Sequence, residues 1–265
     1  MKNNFRKAAA TTICMLMVAV MSLTGVTYAW FTAGTQATVN GMNVQVTAAD
    51  GGVQVRLEGS STWQTTLGLG VEAKNVAPVS SADGVNFFTV GEYNPANNAQ
   101  AKVESVTKAD NANIIVKKVE LSNPGQQGIV VDLDGSSIVA ATGDGVVDNE
   151  IYKAARVALI VSGGSYDEAV TYIYTPEADS WNGFVATSAN YVDLNTAIEN
   201  IAVAKTSNLY DACRIELDAN PDNADASKIV DVEIVIWLEG QDSDCKNANA
   251  KGAFDIVLNF KDVNA

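Results

Sequence analysis

The side chains in this sequence that could carry chemistry are carboxylates, thiols and indoles: 31 Asp plus Glu, three Cys and four Trp, with no histidine at all. Without an imidazole, Ser-His-Asp and Cys-His catalysis, HExxH zinc proteolysis and facial-triad iron chemistry each lose a required base or ligand. A zinc site made of carboxylates and cysteines alone would be unusual for a hydrolase, so the chain is read as a non-enzyme. Calcium is the metal that such residues could serve, since hard cations take several oxygens from a flexible loop. Asp132-Leu133-Asp134-Gly135-Ser136 and Asp144-Gly145-Val146-Val147-Asp148-Asn149-Glu150 place carboxylates close together around glycines, and Asp242 with Asp244 forms a weaker pair. None of them has the Asp-x-Asp-x-Asp-Gly run with Glu at the twelfth position. They read first as acidic turns: no cofactor is expected, and calcium stays open.

The indoles Trp30, Trp63, Trp181 and Trp237 raise stacking on sugar rings as one use and core or edge packing as the other. Trp181 lies in the turn-like Ser180-Trp181-Asn182-Gly183-Phe184. Trp237 shares a strand side with Val235 and Ile229, opposite a regular apolar face, so both faces of that strand are expected to be covered. Charge narrows the partners further. Seventeen Lys plus Arg give a net charge of −14, which argues against nucleic acid, whose binding runs on clustered cations.

The first 29 residues read as an export signal. Lys2, Arg6 and Lys7 form a basic start, Ala8 to Val26 is an apolar run, and Thr27-Tyr28-Ala29 supplies small residues for cleavage between Ala29 and Trp30. A retained membrane anchor is the alternative, because about twenty apolar residues can span a bilayer. Cys14 lies inside the apolar run, the wrong place for a lipidated cysteine. Cleavage leaves 14 basic against 31 acidic groups, a charge of −17 over residues 30–265. With no apolar tail or sorting pentapeptide at Phe260–Ala265, the expectation is a protein secreted or held at the surface by assembly, in contact with membrane only before cleavage. Cys213 and Cys245 then remain, and an even count in an exported chain reads as a disulfide, worth about 3–4 kcal/mol on the loop-entropy argument. Two reduced thiols are the other possibility.

The elements that must position these residues read as strands, one after another, at period two. Val230, Val232, Ile234, Ile236 and Leu238 share one face, and so do Phe254, Ile256, Leu258 and Phe260, with a polar connection Gly240–Asn247 between the two strands. Further strands are expected at Ala101–Lys108, Asn113–Leu121, Gly128–Leu133, Ser137–Ala141, Ala154–Val161 and Thr171–Tyr174. Long loops and edge strands are expected over Ser60–Asn98. One short helix is expected at Thr196–Lys205, where Thr196 and Glu199 match a capping box. Short strands at this spacing predict an all-β jelly roll or β-sandwich over residues 50–265.

Between signal and domain lies an uncharged stretch, Trp30–Ala49, in which Met42, Val44 and Val46 alternate with Asn43, Gln45 and Thr47. Such a strand has two fates: its own sheet, or the sheet edge of a neighbouring subunit, as in donor-strand complementation. The aromatic pair Trp30-Phe31 at the new N-terminus, and the lack of Lys or Pro gatekeepers, favour the second.

The junction Leu23-Thr24-Gly25-Val26-Thr27-Tyr28-Ala29-Trp30-Phe31-Thr32 resembles that of Gram-positive proteins processed by the SipW-type signal peptidase, the TasA and camelysin group. Gly41-Met42-Asn43-Val44 fills the place of that group's turn into its first strand. Ile234-Val235-Ile236-Trp237-Leu238-Glu239-Gly240, Asp244-Cys245 and Phe254–Phe260 look like the end of exported clostridial relatives. The resemblance implies a jelly-roll subunit of a biofilm-matrix or surface fibre. Its partners would be the signal peptidase and then further copies of itself, joined head to tail through the freed strand, with Trp30, Phe31, Met42, Val44 and Val46 as the assembly residues. The sequence departs from the group in its longer middle and in its cysteine pair. A monomeric secreted β-sandwich that binds carbohydrate or a host ligand is the alternative, and a calcium-stabilised adhesin domain is a third reading.

Overall fold

Alternation in the sequence becomes layering in the structure. In the strand Val230–Leu238, Val230, Val232, Ile234, Ile236 and Leu238 turn one way and are buried. On its other side, Asp231 is exposed and Glu233 half-buried, whereas Val235 and Trp237 are buried again. One face therefore belongs to a main core, and the other is covered over only half its length. This computed structural model describes residues 37–39, 42–49, 52–70, 74–109, 112–141, 150–176, 186–193, 205–206, 213–242, 244–245 and 252–264.

The strands β1 to β17, in chain order, form two large sheets and two small ones. The first six-stranded sheet runs β15 (Ile215–Leu217), β9 (Ile129–Asp132), β17 (Phe254–Asp262), β2 (Met42–Ala49) and β4 (Thr66–Gly68), with β10 (Ser137–Ala140) also on β17. The second six-stranded sheet runs β14 (Lys205–Thr206), β12 (Tyr166–Tyr174), β11 (Ala155–Gly163), β16 (Val230–Leu238), β8 (Ile115–Ser122) and β3 (Gln54–Leu57). One apolar core takes Val46, Leu67, Val131, Ile215, Phe254 and Leu258 from the first sheet and Val55, Leu121, Val157, Leu159, Val232 and Ile234 from the second. The fold is an all-β sandwich, as its period-two pattern predicts.

A three-stranded sheet, β13 (Ser188–Asp193), β7 (Asn97–Val106) and β6 (Phe87–Asn94), lies beside the second sheet. Phe87 and Val79 join Ala158, Ile173, Val235 and Trp237 in a second apolar cluster on that sheet's outer face. The fourth sheet is the pair β1 (Ala37–Val39) and β5 (Lys74–Val76). The polar connection after Leu238 carries the chain from one large sheet to the other.

Helical structure among the described residues is limited to 3-10 turns at Ile151–Ala154, Pro221–Asn223 and Ala226–Lys228. The helix expected at Thr196–Lys205 lies outside the described residues except for its last position, where Lys205 opens β14 instead. No helix among the described residues is long and apolar enough to cross a membrane. The export signal with Cys14, Ala29, Trp30 and Phe31, the stretch 144–149, and Trp181 also lie outside the described residues.

Candidate functional site

The N-terminal strand is where the sequence places its assembly residues, and the structure seats that strand inside its own sheet. Met42, Val44 and Val46 all lie on β2, which pairs in parallel with β17 from Met42↔Phe254 to Ala49↔Lys261. On its other side Gln45, Val46 and Thr47 pair antiparallel with Gly68, Leu67 and Thr66. Val46 has no exposed surface. Of the two fates that its sequence allows, β2 takes the intramolecular one, because β17 would otherwise present an unpaired edge beside an apolar face.

The flanks of this strand have a regular geometry. Ala37↔Val76 and Val39↔Lys74 join β1 to β5 in the same antiparallel register as Gln45↔Gly68 joins β2 to β4. β2 thus lies between β17 and β4, and β1 runs along β5 alone. The sequence reading of Ser60–Asn98 as loops and edge strands holds for its short strands, but their task of flanking the N-terminal segment was not visible. Nothing local in Thr66–Gly68 or Lys74–Val76 marks a partner 20 to 40 residues away.

A buried polar clamp holds the cover on the second sheet. Glu239 is fully buried directly after β16. Its Oε2 accepts from Trp237 Nε1 at 3.1 Å and from the Ser81 N–H at 3.2 Å, and its Oε1 accepts from the Gln241 N–H at 3.0 Å. Val79 adds main-chain bonds to Leu238 and Gly240, so residues 79–81 are stitched along the end of β16. Phe87 stands edge-on to Trp237, with ring centroids 5.3 Å apart. Asp83 then shapes the turn by accepting from the N–H groups of Val85 and Asn86, which draws its carboxyl below the ordinary range although partial burial pushes the other way. Sequence reading missed Glu239. The available signal was an acid closing a strand whose last residues on both faces, Val235 to Leu238, are apolar.

Where this cover stops, the outer face of the second sheet is open and charged. A groove of about 470 Å³ there has Ile160, Thr171, Asp231 and Glu233 among its lining, with Lys108, Lys118 and Glu58 around it. Lys108 pairs with Glu233, and Lys118 Nζ lies 3.5 Å from Glu58 Oε1. Asp231 faces Glu120 directly across the strands. Partial burial and the neighbouring carboxylates Glu120 and Glu58 raise its pKa. Among the described residues, no aromatic side chain lines this groove.

The other sequence candidates fall apart spatially. Asp132-Leu133-Asp134-Gly135-Ser136 is an irregularity between β9 and β10, both alongside β17. Its carboxylates are engaged: Asp132 Oδ2 with Arg214 Nη1 at 3.3 Å, and Asp134 Oδ2 with Lys261 Nζ at 3.1 Å. Gly135 has φ +82°, the left-handed conformation that its turn requires. Asp242 pairs with the buried Arg156 and accepts from the Asp244 N–H at 2.8 Å. No group of three or more metal-ligating side chains occurs among the described residues. Trp237 is buried, and the half-buried Trp63 lies under the Arg56 guanidinium, 4.3 Å from its ring centre.

Cys213 and Cys245 are both buried free thiols, not the bridge expected from their even count. Cys213 lies among Asp132, Arg214 and the tyrosines of β12, and Cys245 among Asp242, Glu239 and Arg156. The two occupy separate neighbourhoods of the core. Burial pushes the Cys213 thiol up to about 12 and that of Cys245 well above its ordinary value.

Comparison with family models, with curated proteins and with solved structures finds no match to this chain.

Proposed function

We propose that this chain is an exported structural subunit of an extracellular fibre and that its N-terminal strand, Ala37–Ala49, is exchanged between successive copies. The observation that carries the reading is the placement of that strand. Its β2 part lies between β17 and β4, and removing it would leave a slot with a pairing edge on each side, while its β1 part pairs with β5 alone. A copy of the same strand from a neighbour would remake in trans each contact made in cis, so exchange costs little beyond ordering. β2 and β3 lie in different sheets, and the four residues between them in sequence include two glycines. Exchange between chains that do not close on each other grows a filament. This differs from the simpler expectation of a strand added to an open edge, since here the receiving slot is the donor's own.

On this reading the signal is cut between Ala29 and Trp30, and an uncut chain keeps its N-terminus in the membrane and unavailable for exchange. The chemistry is assembly, with no catalytic step. The test is electron microscopy of residues 30–265 beside the same chain carrying Gln45→Cys and Val257→Cys, which are register partners in β2 and β17. Filaments from the first, and single particles from the second until reductant is added, are expected. Single particles from both across concentration and mild acid would end the fibre reading. A monomeric secreted sandwich with its N-terminal strand in its own sheet would replace it.

A further inference from the structure

Among the described residues, the outer edge of β15 is met by side chains and not by a strand. β15 ends the first sheet, with its inner edge on β9. On the other side the Glu216 N–H donates to the Tyr166 hydroxyl at 2.9 Å. The Tyr172 hydroxyl donates to the Arg214 carbonyl at 3.0 Å, and the Tyr166 hydroxyl lies 3.4 Å from that same carbonyl. Both tyrosines come from β12 in the opposite sheet. Their even spacing puts them on one face of that strand, and both rings pack against the main core. They therefore span the mouth of the sandwich from one sheet to the other. Burial raises both phenols above their ordinary value, so each keeps the proton it donates.

The pair of groups they occupy is informative. In a parallel ladder, one residue of the incoming strand bonds the carbonyl of residue i−1 and the N–H of residue i+1 on its neighbour. Around Ile215 those groups are the Arg214 carbonyl and the Glu216 N–H. A hydroxyl can accept from one and donate toward the other, so Tyr166 stands where an incoming peptide would. Arg214, directly before β15, is engaged with Asp132 at 3.3 Å. We propose that Tyr166 and Tyr172 form a latch that seals the β15 edge against addition of an extended strand from a second copy of this chain. The inference is independent of N-terminal strand exchange, because β15 and the β2 slot sit at different places in the sheet order.

The test uses Tyr166→Phe and the double variant Tyr166→Phe/Tyr172→Phe in residues 30–265 carrying the Gln45→Cys/Val257→Cys lock, so that exchange of β2 is silent. Both variants keep the rings that pack against the core, and Tyr93→Phe, whose hydroxyl has no partner, is the control. Amide exchange at Glu216 and sedimentation across concentration are read together. We expect Glu216 to exchange at least tenfold faster in both latch variants, with β9 and β17 amides unchanged, and both variants to associate at concentrations where the locked parent stays monomeric. Unchanged exchange at Glu216 overturns the latch. Faster exchange without any new association also overturns it, since the phenols would then only tie the sheets together. If the double variant loosens β9 and β17 as well, the single variant, which keeps the Tyr172 bond, decides between these outcomes.

Discussion

Glu239 shows how much one side chain can hold. Its carboxyl accepts hydrogen bonds from the Trp237 indole and the Ser81 N–H, both out of water, and from the part-buried Gln241 N–H. Truncation leaves those donors buried without acceptors, and an orphaned buried donor costs about 1–3 kcal/mol. Glu239→Ala is therefore expected to destabilise the chain by about 2–6 kcal/mol, the cost of orphaning the two donors that stay buried. Glu239→Gln keeps an acceptor oxygen and should lose less. Urea unfolding followed by tryptophan fluorescence measures both, and equal stability of Glu239→Ala and the parent would refute the clamp.

At the level of elements, the segment that Glu239 anchors closes down on the second sheet at a glycine. Gly84 has φ +70°, and a Cβ built there would come within 2.6 Å of the Ala158 Cβ on β11. Both the backbone conformation and the approach exclude a side chain. Gly84→Ala should cost about 1–3 kcal/mol, the usual penalty for overpacking. Ala158→Gly in the same chain should recover the part that comes from the clash, but not the part that comes from positive φ. Thermal denaturation of the single and double variants separates the two. Additive losses in the double variant would mean that the cover does not approach β11 so closely. The same scale explains the position of β2: its slot exists because β17 is long and its inner face, Phe254, Ile256, Leu258 and Phe260, is fully apolar. A strand of that kind needs partners on both edges.

For the whole molecule, the two buried thiols give a signature of the folded state in alkaline solution. An ordinary thiol here has a pKa of 9.0, and the Cys213 thiol in the fold is pushed up to about 12. Below pH 9 both folded and unfolded chains keep the proton, so this group contributes nothing to pH dependence. Above it the unfolded chain releases a proton that the folded chain retains, and stability falls as pH rises from about 9 towards 12. Cys245 and the buried tyrosines act in the same direction. The denaturation midpoint of residues 30–265 should fall as pH rises from about 9 towards 11. At pH 8 burial leaves Cys213 and Cys245 far less thiolate than a free thiol, so disulfide reagents should leave residues 30–265 unmodified in the native state and titrate two thiols after unfolding. Rapid reaction of either cysteine in the native chain would show the site to be open.

How much of this was legible in the sequence differs from place to place for physical reasons. Period-two alternation fixes which side of a strand is apolar without any knowledge of its neighbours. The expected span Val230–Leu238 is therefore the observed β16, and an all-β sandwich follows from composition and pattern. The lack of histidine was likewise final, since no fold can supply an imidazole. Trp237 with Val235 on the charged side of its strand already implied a second cover. Pairing was different, because hydrogen bonds between strands carry no local signature. That β2 lies parallel to a strand more than 200 residues away, that Glu239 faces inward, that two tyrosines of β12 take the place of a strand at β15, and that Cys213 and Cys245 sit apart were all decided by tertiary structure. Each depends on which segments the chain brings within a few ångströms of one another, and side-chain periodicity is blind to that.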